Sequence, residues 1–258
     1  MIVFASDLDN TLIYSYKREI GSHKKMVELY EGREVSFMTE KSYDLFSKVR
    51  QKVMLIPVST RSIQQYRRIS FPEQWTPEMA FTSNGGVLLR KGEVDLGWLE
   101  ESKRLIQGAQ EELECAEKIL ERDEKRILDV RRVDGLFVFT KSSCPEKTNV
   151  RLKENLNGEI VNVFQNGCKV YVLPKILNKG MALQRLKKQL SIEYLIAAGD
   201  SLFDIPMLDT ADKAYFPEVL GEDSVKKTSE KTIIRKNEIM SDRMLEEIWE
   251  GICCGKRK

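Results

Sequence analysis

Short apolar runs alternate with helical periods along most of the chain, a pattern typical of an α/β fold with a mostly parallel sheet. The alternating pattern predicts strands over residues 2–6, 53–58, 79–82, 194–198, 213–216 and 232–235. It predicts helices over residues 40–51, 63–69, 180–190, 203–208 and 242–252, the last with Ser241 as its N-cap. Residues 13–40 form a long connection that contains a predicted hairpin flap around residues 31–33.

The segment 87–176 interrupts this alternation. It predicts a charged helix over 98–126, strands near 127–133 and 136–141, a helix over 145–156, and strands near 160–164 and 169–173. This αββαββ order indicates a self-contained two-layer α+β unit. We therefore predict a main domain formed by residues 1–86 and 177–258, with residues 87–176 as an inserted domain.

Composition narrows the possible chemistry. A net charge of +2 supplies no field that would attract nucleic acid or a membrane surface, and no apolar run approaches a membrane span or a signal peptide. The five cysteines lack metal-type spacing, so we expect reduced thiols and a cytoplasmic protein. A single histidine, His23, argues against a Ser-His-Asp hydrolase or a histidine zinc site. Carboxylates and lysine are the expected catalytic groups.

Two carboxylates, Asp7 and Asp9, directly follow the first predicted strand. Ligands of open α/β sheets bind outside the carboxyl ends of the strands. Two acids one residue apart can bind a hard cation and leave one oxygen free to attack phosphorus. A simple turn at the strand end is the alternative, because aspartate is common in turns.

A second acidic turn contains Asp200 and Asp204 and follows the predicted strand 194–198. Its acids are expected at the same edge of the sheet, which makes an oxygen-ligand site for Mg²⁺ reasonable. The alternative is a βα turn in which Gly199 supplies the bend and Asp200 or Ser201 caps the next helix.

Ser59 and Lys179 are candidate groups for an anion. Ser59 follows a predicted strand, where a hydroxyl and exposed backbone N–H groups can bind phosphate, although an N-cap is the alternative. Lys179 stands at a helix start, where the dipole disfavours a cation and an anionic ligand would remove the conflict; a solvent-facing lysine is the alternative. Arg61 could contact ligand or form a structural pair, and we favour the pair.

In this order, residues 7–11, Ser59, Lys179 and residues 199–204 resemble the four motifs of the haloacid dehalogenase superfamily. The inserted unit resembles the C2-type cap of its subclass IIB, which includes Cof-type, sucrose-phosphate and mannosyl-3-phosphoglycerate phosphatases and the phosphomannomutases. The resemblance implies a Rossmann-like three-layer αβα core with a C2 cap. Two positions depart from the family pattern: motif two has Thr60 where glycine is common, and motif four has Phe203 where asparagine is common.

The resemblance also implies roles for the acids. Asp7 would be the nucleophile that forms an aspartyl-phosphate, and Asp9 would be the general acid and base. Mg²⁺ would be bound by Asp7, the backbone carbonyl of Asp9 and Asp200, with Asp204 as a ligand or close by.

The remaining implied roles concern the substrate. Ser59, Thr60 and Lys179 would bind the phosphoryl oxygens, and Asn84 and Gly85 would contact the substrate. The predicted function is Mg²⁺-dependent hydrolysis of a small phosphorylated metabolite, with a sugar phosphate as the first choice. A phosphomutase of the phosphomannomutase type and a catalytically silent ligand-binding relative are the alternatives. The oligomeric state stays open between monomer and dimer.

Overall fold

The computed structural model describes residues 1–228 and 230–253, so the last five residues of the predicted main domain lie outside the described residues. Its strands are β1 Ile2–Ser6, β2 Tyr14–Ser15, β3 Lys24–Tyr30, β4 Arg33–Thr39, β5 Met54–Pro57, β6 Met79–Thr82, β7 Val87–Arg90, β8 Glu93–Val94, β9 Arg131–Val133, β10 Phe137–Lys141, β11 Val161–Asn166, β12 Lys169–Pro174, β13 Tyr194–Ala198, β14 Lys213–Pro217 and β15 Glu230–Ile234. Its α-helices are α1 Glu40–Val49, α2 Ile63–Tyr66, α3 Leu96–Leu105, α4 Gln110–Glu121, α5 Pro145–Asn155, α6 Lys179–Lys187, α7 Ile205–Leu208 and α8 Met240–Cys253.

The central sheet is parallel and has the strand order β15-β14-β13-β1-β5. Its middle strands are apolar on both faces, as in Val3, Phe4 and Ala5 of β1, all fully buried, because helices cover a parallel sheet on both sides. Helices α1 and α8 pack against each other, as do α6 and α7. The predicted α/β class with a mostly parallel sheet is confirmed. No helix of the described residues is long and apolar enough to cross a membrane.

Strand β6 forms over the predicted residues 79–82. It runs parallel to the chain after β5, through a bridge between Val58 and Phe81, and it also pairs antiparallel with β7 in a small sheet of order β6-β7-β8. Backbone angles with positive φ at Ser83, Asn84 and Gly85 reverse the chain there, so β7 returns alongside β6.

The flap predicted around residues 31–33 is a hairpin of β3 and β4, with β2 pairing on the other side of β4. Its turn residues Glu31 and Gly32 both have positive φ, which suits a two-residue turn between twisted strands. The predicted cap of α8 was wrong: the helix begins at Met240, so Ser241 lies inside it, and its backbone N–H donates to Tyr14 Oη at 2.9 Å.

The chain divides into two compact units, one formed by Met1–Val94 with the chain from Lys179 onward and the other by Asp95–Asn178. The first unit extends past the predicted boundary at residue 86, because β7 pairs with β6 and β8 pairs with β7. The second unit is an antiparallel sheet of order β11-β12-β10-β9 with α4 and α5 packed on it. Its first helix, predicted as one element over 98–126, is two helices separated at Gln107–Ala109, where Gly108 weakens helix formation.

Candidate active site

Asp7 lies at the carboxyl end of β1. This strand runs between β13, which precedes Asp200, and β5, which precedes Ser59. Register pairs Ser6 with Ala198 of β13 on one side and with Pro57 of β5 on the other. The backbone N–H of Asp7 donates to the carbonyl of Ala198 at 2.8 Å. Residues that follow β1, β5 and β13 therefore share one edge of the sheet. Asp7 is 6% exposed, so its carboxyl is removed from most solvent.

Lys179 joins the acids of two different strands. Its Nζ donates to Oδ1 of Asp7 at 2.5 Å and to Oδ1 of Asp204 at 2.6 Å. All three side chains are buried. The lysine at the start of α6 is thus an internal cation that faces carboxylates, and the alternative of a solvent-facing side chain does not hold.

Asp204 organises the acidic turn after β13. Its Oδ2 accepts hydrogen bonds from the backbone N–H of Asp200 and from both the backbone N–H and the hydroxyl of Ser201, at 3.1, 3.0 and 2.8 Å. Gly199 permits this closed turn, because a Cβ atom there would lie 2.2 Å from the Cβ of Asp204. The turn holds Asp200 beside the other acids, and Phe203 is buried next to it.

Carboxylates of Asp7, Asp200 and Asp204 offer ligand oxygens within 4.8 Å of one another. Burial and the neighbouring acids raise the pKa of Asp7 well above its ordinary value, although Lys179 opposes the shift. Burial and the charge of Asp204 raise the pKa of Asp200 to about 7, against Lys179 and a hydrogen bond from Asn10. Burial alone would lower the pKa of Lys179, but Asp204 and Asp7 raise it above the ordinary value. Three carboxylates thus face one ammonium, and the donor set fits a divalent, oxygen-preferring cation.

Ser59 and the turn that contains Asn84 are joined by backbone hydrogen bonds. The N–H of Asn84 donates to the carbonyl of Ser59 at 2.9 Å, and the N–H of Ser83 donates to the carbonyl of Arg61 at 2.7 Å. Ser59 Oγ accepts from the N–H of Arg61 at 3.1 Å, and the Ser83–Gly85 turn packs against α6. Ser59 and Asn84 are buried, Gly85 is buried with a φ of 90°, and Thr60 is half-buried.

Asp9 is half-exposed and forms a two-point ion pair with Arg61. The Nε and Nη2 atoms of Arg61 donate to Oδ2 and Oδ1 of Asp9, both at 2.8 Å. The structural pairing favoured for Arg61 is thus present, but its partner is the acid for which a proton-transfer role is predicted. Nη2 also donates to Oε2 of Glu28 at 2.9 Å, and Glu28 was not among the predicted site residues. Its signal in the sequence was a charged residue between the apolar residues Val27 and Leu29 of β3.

The fold and this site define a class of protein: a Rossmann-like α/β protein with an acidic centre at the carboxyl edge of a parallel sheet. The chain belongs to the haloacid dehalogenase-like hydrolase family, whose model matches residues 4–239. The predicted superfamily is therefore confirmed, and the protein is a hydrolase. A search of curated protein sequences finds no significant match.

Solved structures resemble this fold along almost their whole length. The sucrose-phosphatase from Synechocystis sp. PCC6803, in complex with sucrose and phosphate, has a TM-score of 0.64 at 20% identity and 96% coverage of both chains. A haloacid dehalogenase-like hydrolase from B. subtilis has a TM-score of 0.55 at 15% identity, covering 98% of this chain and 99% of its own. A trehalose-6-phosphate phosphatase related protein has a TM-score of 0.54 at 16% identity, covering 99% and 100%.

Proposed function

We propose that the protein is a Mg²⁺-dependent phosphatase that hydrolyses a small phosphorylated metabolite, with a sugar phosphate as the leading substrate class. The observation that carries the proposal is the buried carboxylate of Asp7, held against Lys179 at the edge of the sheet. An anionic nucleophile approaches a phosphate only if nearby cations offset the repulsion, and Lys179 supplies one of them. The solved sucrose-phosphatase supports the substrate class through its shared fold.

Asp7 and Asp200 would hold the metal together with the backbone carbonyl of Asp9. The four hydrogen bonds accepted by Asp204 favour a positioning role, in which it orients Lys179 and the turn of Asp200. When bound, Mg²⁺ would offset negative charge on the phosphoryl oxygens. Ser59, Thr60 and Lys179 would also bind these oxygens.

The reaction proceeds in two displacements. A carboxylate oxygen of Asp7 attacks phosphorus and the bond to the leaving oxygen breaks, which produces an aspartyl-phosphate. Asp9 gives its proton to the leaving oxygen. Asp9 then takes a proton from the water that attacks phosphorus, and this step releases inorganic phosphate and restores Asp7.

The second unit, Asp95–Asn178, would act as the cap of the enzyme, and Asn84 and Gly85 of the first unit would contact the substrate. The size and the α+β order of this second unit match the C2 cap that the sequence resembles. The resemblance to such a cap favours a small substrate over a phosphoprotein. We propose that the protein acts in the cytoplasm, because its cysteines lack metal-type spacing and their thiols are expected to be reduced.

The test is phosphate release from a panel of phosphorylated metabolites by the purified protein, with Mg²⁺ and with EDTA. We expect Mg²⁺-dependent turnover that Asp7→Asn abolishes and that Asp129→Asn, at an aspartate whose side chain is 94% exposed, retains. Trapping with hydroxylamine should mark Asp7 as the acyl-phosphate. Stoichiometric phosphate release excludes a mutase, and no turnover across the panel would refute the enzymatic proposal.

A further inference from the structure

Glu28 is a fully buried carboxylate in the flap hairpin. Strand β3 has register shifts between Met26 and Glu28 and between Glu28 and Leu29. Since a bulge breaks the alternation of a strand, Val27 and Glu28 are both buried although they are neighbours. The irregularity thus turns an acidic side chain into the protein, which regular pairing at this position would not do.

Four donor groups surround the Glu28 carboxylate. Ser36 Oγ donates to Oε2 at 2.6 Å, and Arg61 Nη2 donates to the same oxygen at 2.9 Å. Arg68 reaches Oε1 with its Nε at 3.0 Å and its Nη2 at 2.9 Å. Burial would raise the pKa of Glu28, but Arg61, Ser36 and Arg68 together hold it below its ordinary value. Glu28 is therefore a permanent anion at neutral pH.

Arg61 connects this anion to the site. Its Nη2 donates at once to Glu28 and to Oδ1 of Asp9, while its Nε donates to Oδ2 of Asp9. The Arg61 side chain is 11% exposed and Glu28 is fully buried, whereas Asp9 is 49% exposed. Of these three charged side chains, Glu28 is thus the most buried and Asp9 the most exposed. A guanidinium held on two sides has little freedom to change its rotamer.

We infer that Glu28 is a positioning residue for the reaction: it fixes Arg61, and through Arg61 it sets the place of the Asp9 carboxyl. This inference rests on the proposed function, in which Asp9 is the general acid and base. Glu28 also divides the charge of Arg61 between two carboxylates. Without it, Arg61 would bind Asp9 alone and could shift with it, away from the leaving oxygen.

A purely structural role is the competing explanation. Glu28 also binds Arg68, whose guanidinium lies 4.4 Å from the centroid of the Tyr30 ring, and thereby holds the hairpin to the segment after α2. A hairpin anchor would affect all substrates equally. A positioning role would affect the substrates whose leaving group needs a proton.

The experiment compares phenyl phosphate, a poor leaving group, with p-nitrophenyl phosphate, a good one, in the full-length protein with Mg²⁺. The ratio kcat/KM reports only the steps up to release of the leaving group, and it is independent of the later attack by water, which both substrates share. General acid catalysis contributes about 10²–10⁴-fold, so we expect Glu28→Gln to lower kcat/KM for phenyl phosphate about tenfold or more. The kcat/KM for p-nitrophenyl phosphate should fall less than about twofold, because its leaving group needs no proton in the transition state. In an Asp9→Asn background, Glu28→Gln should have little further effect, because the Asp9 carboxyl through which Glu28 acts is already absent.

Arg68→Gln is the matched control, because it removes an ion pair of Glu28 and leaves the contact between Glu28 and Arg61. It should not produce the leaving-group dependence. Equal losses for both substrates in Glu28→Gln, additive losses with Asp9→Asn, or the same dependence in Arg68→Gln would each overturn the inference while the wild type remains active. Absence of wild-type turnover of both the metabolite panel and the two aryl phosphates would instead overturn the proposed function, and the inference with it.

Discussion

Lys179, at the start of α6, and Asp204, in the turn after β13, form a buried ion pair, with the lysine Nζ 2.6 Å from Oδ1 of the carboxylate. The same Nζ contacts Asp7, so one cation orders Asp7 and the acidic turn together. Gly180, the next residue of α6, is held against α7: a Cβ there would lie 2.1 Å from the carbonyl oxygen of Pro206. The close contact between the two helices fixes the place from which Lys179 enters the site.

Replacement of Lys179 by methionine should abolish hydrolysis and destabilise the protein. The change leaves Asp7 and Asp204 buried without their cation, and loss of one partner of a buried ion pair typically costs about 3–5 kcal/mol. Urea unfolding in EDTA measures this loss. The exposed Lys188→Met variant should keep both the wild-type stability and the activity. An unchanged midpoint in Lys179→Met would show that the pair contributes nothing to folding.

Alanine at Gly199 should displace the acidic turn. Its Cβ would overlap the Cβ of Asp204, and such overpacking costs about 1–3 kcal/mol. We expect lower thermal stability and weaker Mg²⁺-dependent turnover. Gly251→Ala is the control, since it lies in α8 with no atom within 4 Å of the added Cβ. Helix propensity predicts that this control gains about 0.5–1 kcal/mol, so a loss there would contradict the steric explanation.

Unfolding at acidic pH should reveal the contribution of Glu28 to the stability of the protein. Its pKa is lower in the folded protein than in an unfolded chain, so its contribution to stability is complete above the unfolded pKa of about 4.3 and is lost as pH falls through the folded value. The free energy of unfolding should therefore fall more steeply below about pH 4.3 in the wild type than in Glu28→Gln. Urea titrations at several acidic pH values measure the two slopes. Glu34→Gln, at an exposed position of the same hairpin, should follow the wild type.

Binding of Mg²⁺ should stabilise the folded protein through Asp200. A ligand at about ten times its Kd raises the free energy of unfolding by about 1.4 kcal/mol, which a thermal shift detects. Asp200→Asn should remove most of this gain, because it replaces a carboxylate of the acidic cluster by a neutral amide. Asp129→Asn should respond to Mg²⁺ as the wild type does. An equal shift in Asp200→Asn would place the cation elsewhere.

Local patterns were sufficient to locate the main acids. Asp7 and Asp9 follow directly on an apolar strand, and residues 199–204 follow on another, so the parallel sheet brings them to one edge. The family match confirms the superfamily that these motifs indicated. The catalytic and ligand roles of the site residues stay predictions, as does the cap role of the second unit.

Other features depended on partners distant in the chain. The placement of β6 beside β7 followed from three residues of positive φ, and the pairing of Ser241 with Tyr14 joins positions 227 residues apart. A strand pattern does not reveal a bulge, so the inward turn of Glu28 was not readable from its neighbours.

The sequence by itself determined the α/β class, the order of the strands along the chain and the acids at their ends, because these depend on adjacent residues and a short hydrophobic period. Only the tertiary structure decided that Lys179 faces Asp7 and Asp204, and that Arg61 links Asp9 to Glu28. Buried charges must find opposite charges when the chain packs, and which ones they meet depends on how distant segments come together.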